Sequence, residues 1–172
     1  VTEGGVPALE REVRANMERE LGERLKTEIK TRAFDALIRA NTVTVPRSLV
    51  EQEISNLQAD AARQMGVQDP AQAPPRERFT ALAERRVAVG LLIQELIKEH
   101  KIKLDQARVE QRIREISAPY EKPEEAAQFY RSDRGMMAQV EAAVLEDQVV
   151  DLLLDRMTVN EKPVSFRDFM GA

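Results

Sequence analysis

The side chains best suited to chemistry in this sequence are one histidine and a large set of carboxylates. His100 is the only histidine, and the sequence contains no cysteine, which excludes thiol nucleophiles, zinc fingers and iron–sulfur clusters. As a catalytic base, His100 would need a nucleophile and an orienting carboxylate that converge on it from elsewhere in the fold. Its neighbours Lys98, Glu99 and Lys101 instead favour a solvated side chain near the carboxyl end of a helix.

The acidic residues do not indicate a metal centre either. A carboxylate-bridged dimetal site in a helical bundle requires a Glu-x-x-His pair on each of two helices, whereas the residue three positions before His100 is Ile97. The acidic residues are interleaved with Arg and Lys, as in Glu10-Arg11-Glu12, which is typical of ion pairing on helix surfaces. The glycines form neither a dinucleotide fingerprint nor a phosphate-binding loop. We therefore expect no catalytic residues, no cofactor and no metal.

The composition excludes further classes of protein. The 172 residues include 26 Lys and Arg against 30 Asp and Glu, for a net charge of −4. This balance argues against direct binding of nucleic acid, because phosphate recognition concentrates Lys and Arg. The longest uncharged run, 87–94, is far shorter than the ~18 residues needed to span a bilayer, so we expect no membrane association. The sequence opens at Val1 without a signal-peptide pattern, which predicts a cytoplasmic protein and a fragment of a longer chain.

The elements that carry these side chains are predicted to be helices. Between Pro7 and Ala40 the apolar residues recur at every fourth position: Leu9, Val13, Met17, Leu21, Leu25, Ile29, Ala33 and Leu37. Four residues turn a helix by about 400°, so this stripe drifts by about 40° per step and must meet different neighbours at different heights. A helix of about 34 residues is about 50 Å long, longer than a compact domain of this size is wide. We therefore predict an elongated fold.

Five further helices are predicted downstream. They cover 46–66, 76–100, 105–117, 124–130 and 133–157, and an extended tail over 158–164 leads to a capping box that starts a last short turn at Ser165. The segment 66–75 contains three prolines and no periodicity, which predicts a loop. The apolar side of the second helix is expected to hold Leu49, Ile54, Leu57, Ala61 and Met65. The predicted fold class is all-α, with long helical hairpins.

Several apolar side chains occur where a compact core would have little room for them. Tyr120 lies in a turn between two prolines, Phe129 and Tyr130 lie on a helix of barely two turns, and Ile116 ends another short helix. Two interpretations are equally open. The side chains pack on each other to hold a helical elbow, or they form an exposed and adaptable apolar surface that binds varied partners.

Five segments of the sequence carry a family resemblance. They are NMEREL at 16–21, VPRSLVEQEI at 45–54, RRVAVGLLIQELI at 85–97, YEKPEEAAQFY at 120–130 and VNEKPVSFRDFM at 159–170. Together they resemble the C-terminal substrate-binding domain of bacterial trigger factor, the ribosome-associated folding chaperone, over nearly the whole chain and in the same order. The resemblance is weakest at 66–75. It implies a single domain over 1–172, built as a helical body with two projecting arms that form a cradle.

The resemblance also implies a function. An ATP-independent chaperone domain of this kind binds unfolded or nascent polypeptides through apolar surfaces of the cradle and assists protein folding, with family links to protein transport and cell division. We expect Ile116, Tyr120, Phe129 and Tyr130 to contact clients, with Leu57 on the second helix as an outlier. A helical adaptor or scaffold module that binds one specific folded partner is the alternative, and weak self-association is open.

The parent chains of this family carry two further domains. One docks on the ribosome, and the other is a peptidylprolyl cis-trans isomerase, or rotamase. Because the helical part uses all 172 residues, the resemblance assigns ribosome contact and isomerase activity to those other domains and not to this chain.

Overall fold

The computed structural model describes residues 5–67 and 73–171. Within these ranges the chain forms seven α-helices, one short 3-10 helix and no strand. The α-helices are α1 (Gly5–Ala40), α2 (Arg47–Gln64), α3 (Thr80–Glu99), α4 (Gln106–Ser117), α5 (Pro123–Ser132), α6 (Arg134–Arg156) and α7 (Phe166–Met170). The predicted all-α class is confirmed. None of the described helices is long and apolar enough to cross a membrane.

Local signals explain where several helices begin. The Asp105 carboxylate accepts hydrogen bonds from the backbone N–H groups of Ala107 and Arg108, at 2.9 and 3.2 Å, and so caps α4. Asp133 caps α6 in the same way by accepting from the N–H of Met136 at 2.8 Å. Ser165 caps α7, as the predicted capping box requires.

The helix predicted over 76–100 is divided in the structure. Arg76–Phe79 forms a 3-10 helix, and the α-helix begins only at Thr80. Pro75 has extended backbone geometry, and its carbonyl accepts from the N–H of Arg78 at 3.2 Å, which tightens this first turn. The loop predicted at 66–75 is described only at its ends, because 68–72 lie outside the described residues.

The apolar residues gather in three separate clusters. The body cluster joins α1, α3 and α6, the first-arm cluster joins α2 to the first half of α3, and the second-arm cluster joins α4, α5 and the first half of α6. Their buried members include Phe34, Leu37, Ile93, Val149 and Leu153 in the body, Val50, Ile54, Leu57 and Ala83 in the first arm, and Val109, Ile113, Ala127, Val140 and Val144 in the second arm. Each arm is therefore a helical unit with a small core of its own.

The molecule exposes far more surface than a compact protein of its mass. Its accessible surface is 13076 Å² for 19.5 kDa, whereas a compact protein of that mass exposes about 8,500 Å². Helix α1 alone has 36 residues, which corresponds to about 54 Å at 1.5 Å per residue. The fold is thus elongated, as its sequence predicts.

The four-residue stripe on α1 changes its surroundings along the helix, as its drift predicts. Leu9 and Val13 are about half exposed near the start of the helix. Ile29 lines a cleft that α1 forms with α4 and α6. Ala33 and Leu37 are buried in the body cluster. The stripe on α1 therefore passes from solvent to the cleft and then to the body cluster, because each step turns it toward a new neighbour.

The buried face of α2 differs from the prediction at two positions. Val50, Ile54 and Leu57 are buried, whereas Leu49 is 41% exposed and Met65 is 64% exposed. Leu49 and Ile54 are five residues apart and point about 140° away from each other, whereas Val50 and Ile54 are four apart and differ by about 40°. Met65 lies past the last residue of the helix. The prediction that Leu49 and Met65 share the apolar side was wrong.

Candidate functional site

The turn between α4 and α5 and the junction of α5 with α6 form an elbow in the second arm, which we define as residues 117–133. The N–H of Tyr120 donates to the carbonyl of Ser117 at 3.1 Å and closes the turn. Pro123 then begins α5, as suits a residue with a fixed φ in a first helical turn. Asp133 both ends α5 and caps α6. These local bonds fix the positions of the aromatic residues.

The elbow brings together the three aromatic residues that the sequence singles out. The rings of Phe129 and Tyr130 meet edge to face, with centroids 6.4 Å apart and planes at 73°. The Tyr120 hydroxyl lies near that of Tyr130 and is the main cause of the raised pKa of Tyr130. The sequence places Tyr120 in the turn and the other two on α5, and it does not reveal this contact between them.

These side chains divide between the core and the surface. Tyr130 and Ile116 are half-buried and pack against the second-arm cluster. Tyr120 and Phe129 are 53% and 56% exposed, and Met136, at the start of α6, is also exposed. Two residues therefore hold the elbow and two face outward, and the binding of varied partners by the exposed pair stays a prediction. The elbow thus presents two exposed aromatic rings, those of Tyr120 and Phe129, beside the half-buried Tyr130.

An ion pair joins the two short helices that carry the elbow. Arg131 on α5 donates a hydrogen bond to the Glu110 carboxylate on α4 at 2.8 Å. This bond lowers the pKa of Glu110 and raises the pKa of Arg131. Because both groups are solvated, their attraction contributes little to stability. The pair adds a polar contact between α4 and α5 to their apolar packing in the second-arm cluster.

Leu57 lies apart from this surface, and the expectation that it contacts clients stays a prediction. It is 7% exposed and packs in the first-arm cluster beside Ile54 and Ala83. Leu57 follows Ile54 by three residues, so both side chains lie on the face that α2 presents to α3. A client could reach Leu57 only if the first arm opened.

A cleft between α1, α4 and α6 is a feature that the sequence analysis missed. Its volume is about 580 Å³, and its apolar wall includes Ile29, Val144, Val150 and Leu154. The rim is charged. Lys30 forms an ion pair with Glu146 at 2.7 Å, and the guanidinium of Arg108 donates a hydrogen bond to the Asp151 carboxylate. That hydrogen bond is the main cause of the raised pKa of Arg108. The drift of the α1 stripe indicates that Ile29 meets other neighbours than Leu9 does, but it does not predict which helices form the cleft beside Ile29.

The polar groups of the described ranges 5–67 and 73–171 do not assemble a metal centre. No group of three or more His, Asp or Glu residues there could hold a metal ion. The Nε2 atom of His100 lies 3.2 Å from Nη1 of Arg156. It therefore contacts a guanidinium rather than the carboxylate that would orient a catalytic base.

A comparison with known protein families yields a match. The family model described as the C-terminus of bacterial trigger factor protein (TF) matches residues 5–155. The match runs from the start of α1 almost to the end of α6, so it includes the body, both arms and the elbow. The tail and α7 lie beyond it, and their likeness to the family stays a prediction. Since the match covers most of its length, the chain belongs to the family of bacterial trigger factor C-terminal regions.

Proposed function

We propose that this chain is an ATP-independent holding chaperone domain that binds unfolded or nascent polypeptide through exposed apolar side chains of the elbow. Its family has a chaperone-type role rather than a catalytic one. The proposal adds the surface, the class of client and the manner of binding. It takes residues 1–172 as one domain that works in the cytoplasm.

The observation that carries the proposal is the exposure of Tyr120 and Phe129, each of which neighbours the half-buried Tyr130 of the elbow. Neighbouring apolar side chains left exposed on a folded protein mark a binding surface more often than isolated ones do. Tyr130 and Ile116 hold this surface from below. The exposed Met136 adds a flexible, polarisable side chain, which adapts to partners of different shape.

The size of such a contact explains how clients leave without an energy source. Burying about 400 Å² of apolar surface is worth about 10 kcal/mol before costs, at 25 cal/mol per Å². Lost rigid-body freedom and ordering of side chains remove several kcal/mol of this. One contact is therefore weak and quickly reversible, and several along one client add through multivalency. A client can release one contact at a time and fold.

The test is suppression of aggregation of a chemically denatured protein, without nucleotide, across a titration of this chain. The elbow variant carries Tyr120→Ala and Phe129→Ala. The matched control carries Leu49→Ala and Leu82→Ala, which remove two exposed apolar side chains from the first arm instead. We expect wild type and control to suppress aggregation at low micromolar concentration, and the elbow variant to need a several-fold higher concentration.

Three outcomes would contradict this proposal. Loss of helical circular dichroism in the elbow variant would place its side chains in the core. A flat response of the folded wild-type chain would exclude a self-sufficient holding role. Binding of one folded protein, but of none among several unrelated unfolded chains, would favour the helical adaptor.

A further inference from the structure

The end of the chain folds back onto the first half of α1. Phe166 of α7 lines a groove together with Leu9, Val13, Met17 and Leu21, and we call these four residues of α1 the α1 groove. One helical turn later in α7, the ring of Phe169 has its centre 5.9 Å from the guanidinium carbon of Arg24, within cation–π range. Both phenylalanines of α7 therefore contact the same helix.

α7 is built as a defined element rather than as a frayed end. Ser165 caps its first turn by accepting from the N–H of Asp168 at 3.2 Å. Gly171 ends it with a φ of 72°, in the left-handed region that glycine adopts readily. Between these caps the five residues Phe166–Met170 present two aromatic rings three positions apart, which is one face of a helix.

The tail holds the α1 groove only loosely. All residues from 158 to 168 are exposed, and Phe166 itself keeps 41% of its surface accessible. The groove retains about 520 Å³ of open space, and Leu9, Val13 and Met17 remain about half exposed. Among the described residues, none of the three apolar clusters includes a residue beyond Met157. The tail can therefore leave without disturbing them.

We propose that α7 is an internal stand-in for a client, which occupies the α1 groove until an unfolded segment rich in aromatic residues displaces it. This inference rests on the proposed function and adds to it a second client surface and a built-in competitor. The chemistry of the occupant supports it. α7 combines Phe166, Phe169 and Met170 with Arg167 and Asp168, and the groove combines its apolar floor with a rim of Glu10, Arg14 and Glu18. A short segment of apolar residues with mixed charges suits such a groove.

The consequence is a measurable cost for client binding. When a competitor closes a site, the apparent dissociation constant rises in inverse proportion to the open fraction. A tail that is closed about 80–90% of the time weakens client binding at the α1 groove about five- to tenfold. Replacing Phe166 and Phe169 with Ala should therefore strengthen client binding at the α1 groove by the same five- to tenfold.

The first experiment tests the docking itself and needs no client. A fluorescent peptide with the sequence of residues 158–171 is titrated with the full chain, and its anisotropy is followed. We expect Phe166→Ala with Phe169→Ala to bind the peptide about five- to tenfold more tightly than wild type, because its own tail no longer competes. Adding Val13→Ser and Met17→Ser to that variant should abolish binding. Equal binding to wild type and to the tail variant, or no binding to either, would overturn the inference.

The second experiment tests competition with an unfolded client, for which the probe is reduced and carboxymethylated α-lactalbumin. The Phe166→Ala, Phe169→Ala variant should bind the probe more tightly than wild type, and added tail peptide should reverse the gain. Val159→Ala with Val164→Ala is the control, since it removes exposed tail side chains outside the groove. All variants should have the same far-UV circular dichroism.

The outcomes separate this inference from the function on which it rests. Client binding that is unchanged in the tail variant would overturn the inference and leave the holding role intact. Loss of client binding in every chain, wild type included, would overturn the holding role. If wild type forms a dimer in ultracentrifugation and the tail variant does not, the tail occupies the groove of a second copy, and the internal stand-in is wrong.

Discussion

Tyr120, in the turn, and Tyr130, on α5, bring their hydroxyl groups near each other across the elbow. The Tyr120 hydroxyl raises the pKa of Tyr130, and burial adds to the rise. A group whose pKa is higher in the folded state stabilises that state fully below its unfolded pKa and loses the contribution as pH rises through the folded pKa. The elbow should therefore loosen in alkaline solution, above the ordinary tyrosine pKa of about 10.

This relationship can be measured directly, because the chain has two tyrosines and no tryptophan. Tyr120→Phe leaves Tyr130 as the only tyrosine and removes the hydroxyl that faces it. We expect the raised pKa of Tyr130, followed by the ultraviolet absorbance of tyrosinate, to fall toward about 10 in this variant. Phe129→Leu serves as control and should leave the raised pKa of Tyr130 in place. An unchanged pKa of Tyr130 in Tyr120→Phe would disprove the effect of the Tyr120 hydroxyl.

The ion pair between Glu110 and Arg131 gives a prediction at acid pH. The pKa of Glu110 is lowered chiefly by its hydrogen bond to Arg131, so its stabilising contribution is present above the unfolded pKa and is lost as pH falls through the folded pKa. Arg131→Gln should raise the pKa of Glu110, as read from its side-chain carboxyl carbon by NMR. Arg114→Gln should raise it less, because Arg114 acts on Glu110 only through its charge. An equal rise in the pKa of Glu110 in both variants would contradict the hydrogen bond between Glu110 and Arg131.

The two leucines of α2 offer a matched comparison of core and surface. Leu57→Ala should lower the free energy of unfolding by about 2–5 kcal/mol, because it leaves a cavity in the first-arm cluster. Leu49→Ala makes the same chemical change at an exposed position of the same helix and should cost less than about 1 kcal/mol. Urea denaturation followed by circular dichroism measures both values. Similar costs would mean that Leu57 is not a core residue.

The cap of α4 supplies a further test. Asp105→Ala removes the acceptor for two backbone N–H groups and should cost about 1 kcal/mol. Asp105→Asn keeps an acceptor oxygen and should retain most of the stability. Hydrogen exchange of the α4 amides would locate the loss in the second arm. Comparable losses of stability in Asp105→Ala and Asp105→Asn would show that the charge of Asp105, and not its hydrogen bonds, stabilises this helix end.

Much of the secondary structure could be predicted because its signals are local. Asp105 and Ser165 act as caps within their own turns, and the drift of the α1 stripe follows from helix geometry alone. The helix start at Arg76 was misplaced because Pro75 favours a tighter first turn, which periodicity does not record. The predicted apolar side of α2 contains Leu49 instead of Val50, although the five residues from Leu49 to Ile54 turn the helix too far for both to share one face.

The candidate site could be predicted only in outline because it depends on contacts between distant segments. The sequence correctly draws attention to Tyr120 and Phe129, yet whether an apolar residue is exposed depends on which helix packs over it. Leu57 is covered by α3, whereas more than half of the surface of Phe129 is exposed. Phe166 and Leu9 line one groove although they are far apart in the sequence, and no local pattern predicts that they come near each other.

The division of the apolar residues into three clusters has a consequence for cooperativity. A protein with one core unfolds as one unit, whereas separate cores can open with separate free energies. Each arm here should behave as a unit of local unfolding, with amides that exchange in groups matching the body and the two arms. An arm can then be lengthened or shortened by mutation, or can open around a bulky polypeptide, without any repacking of the body that carries it.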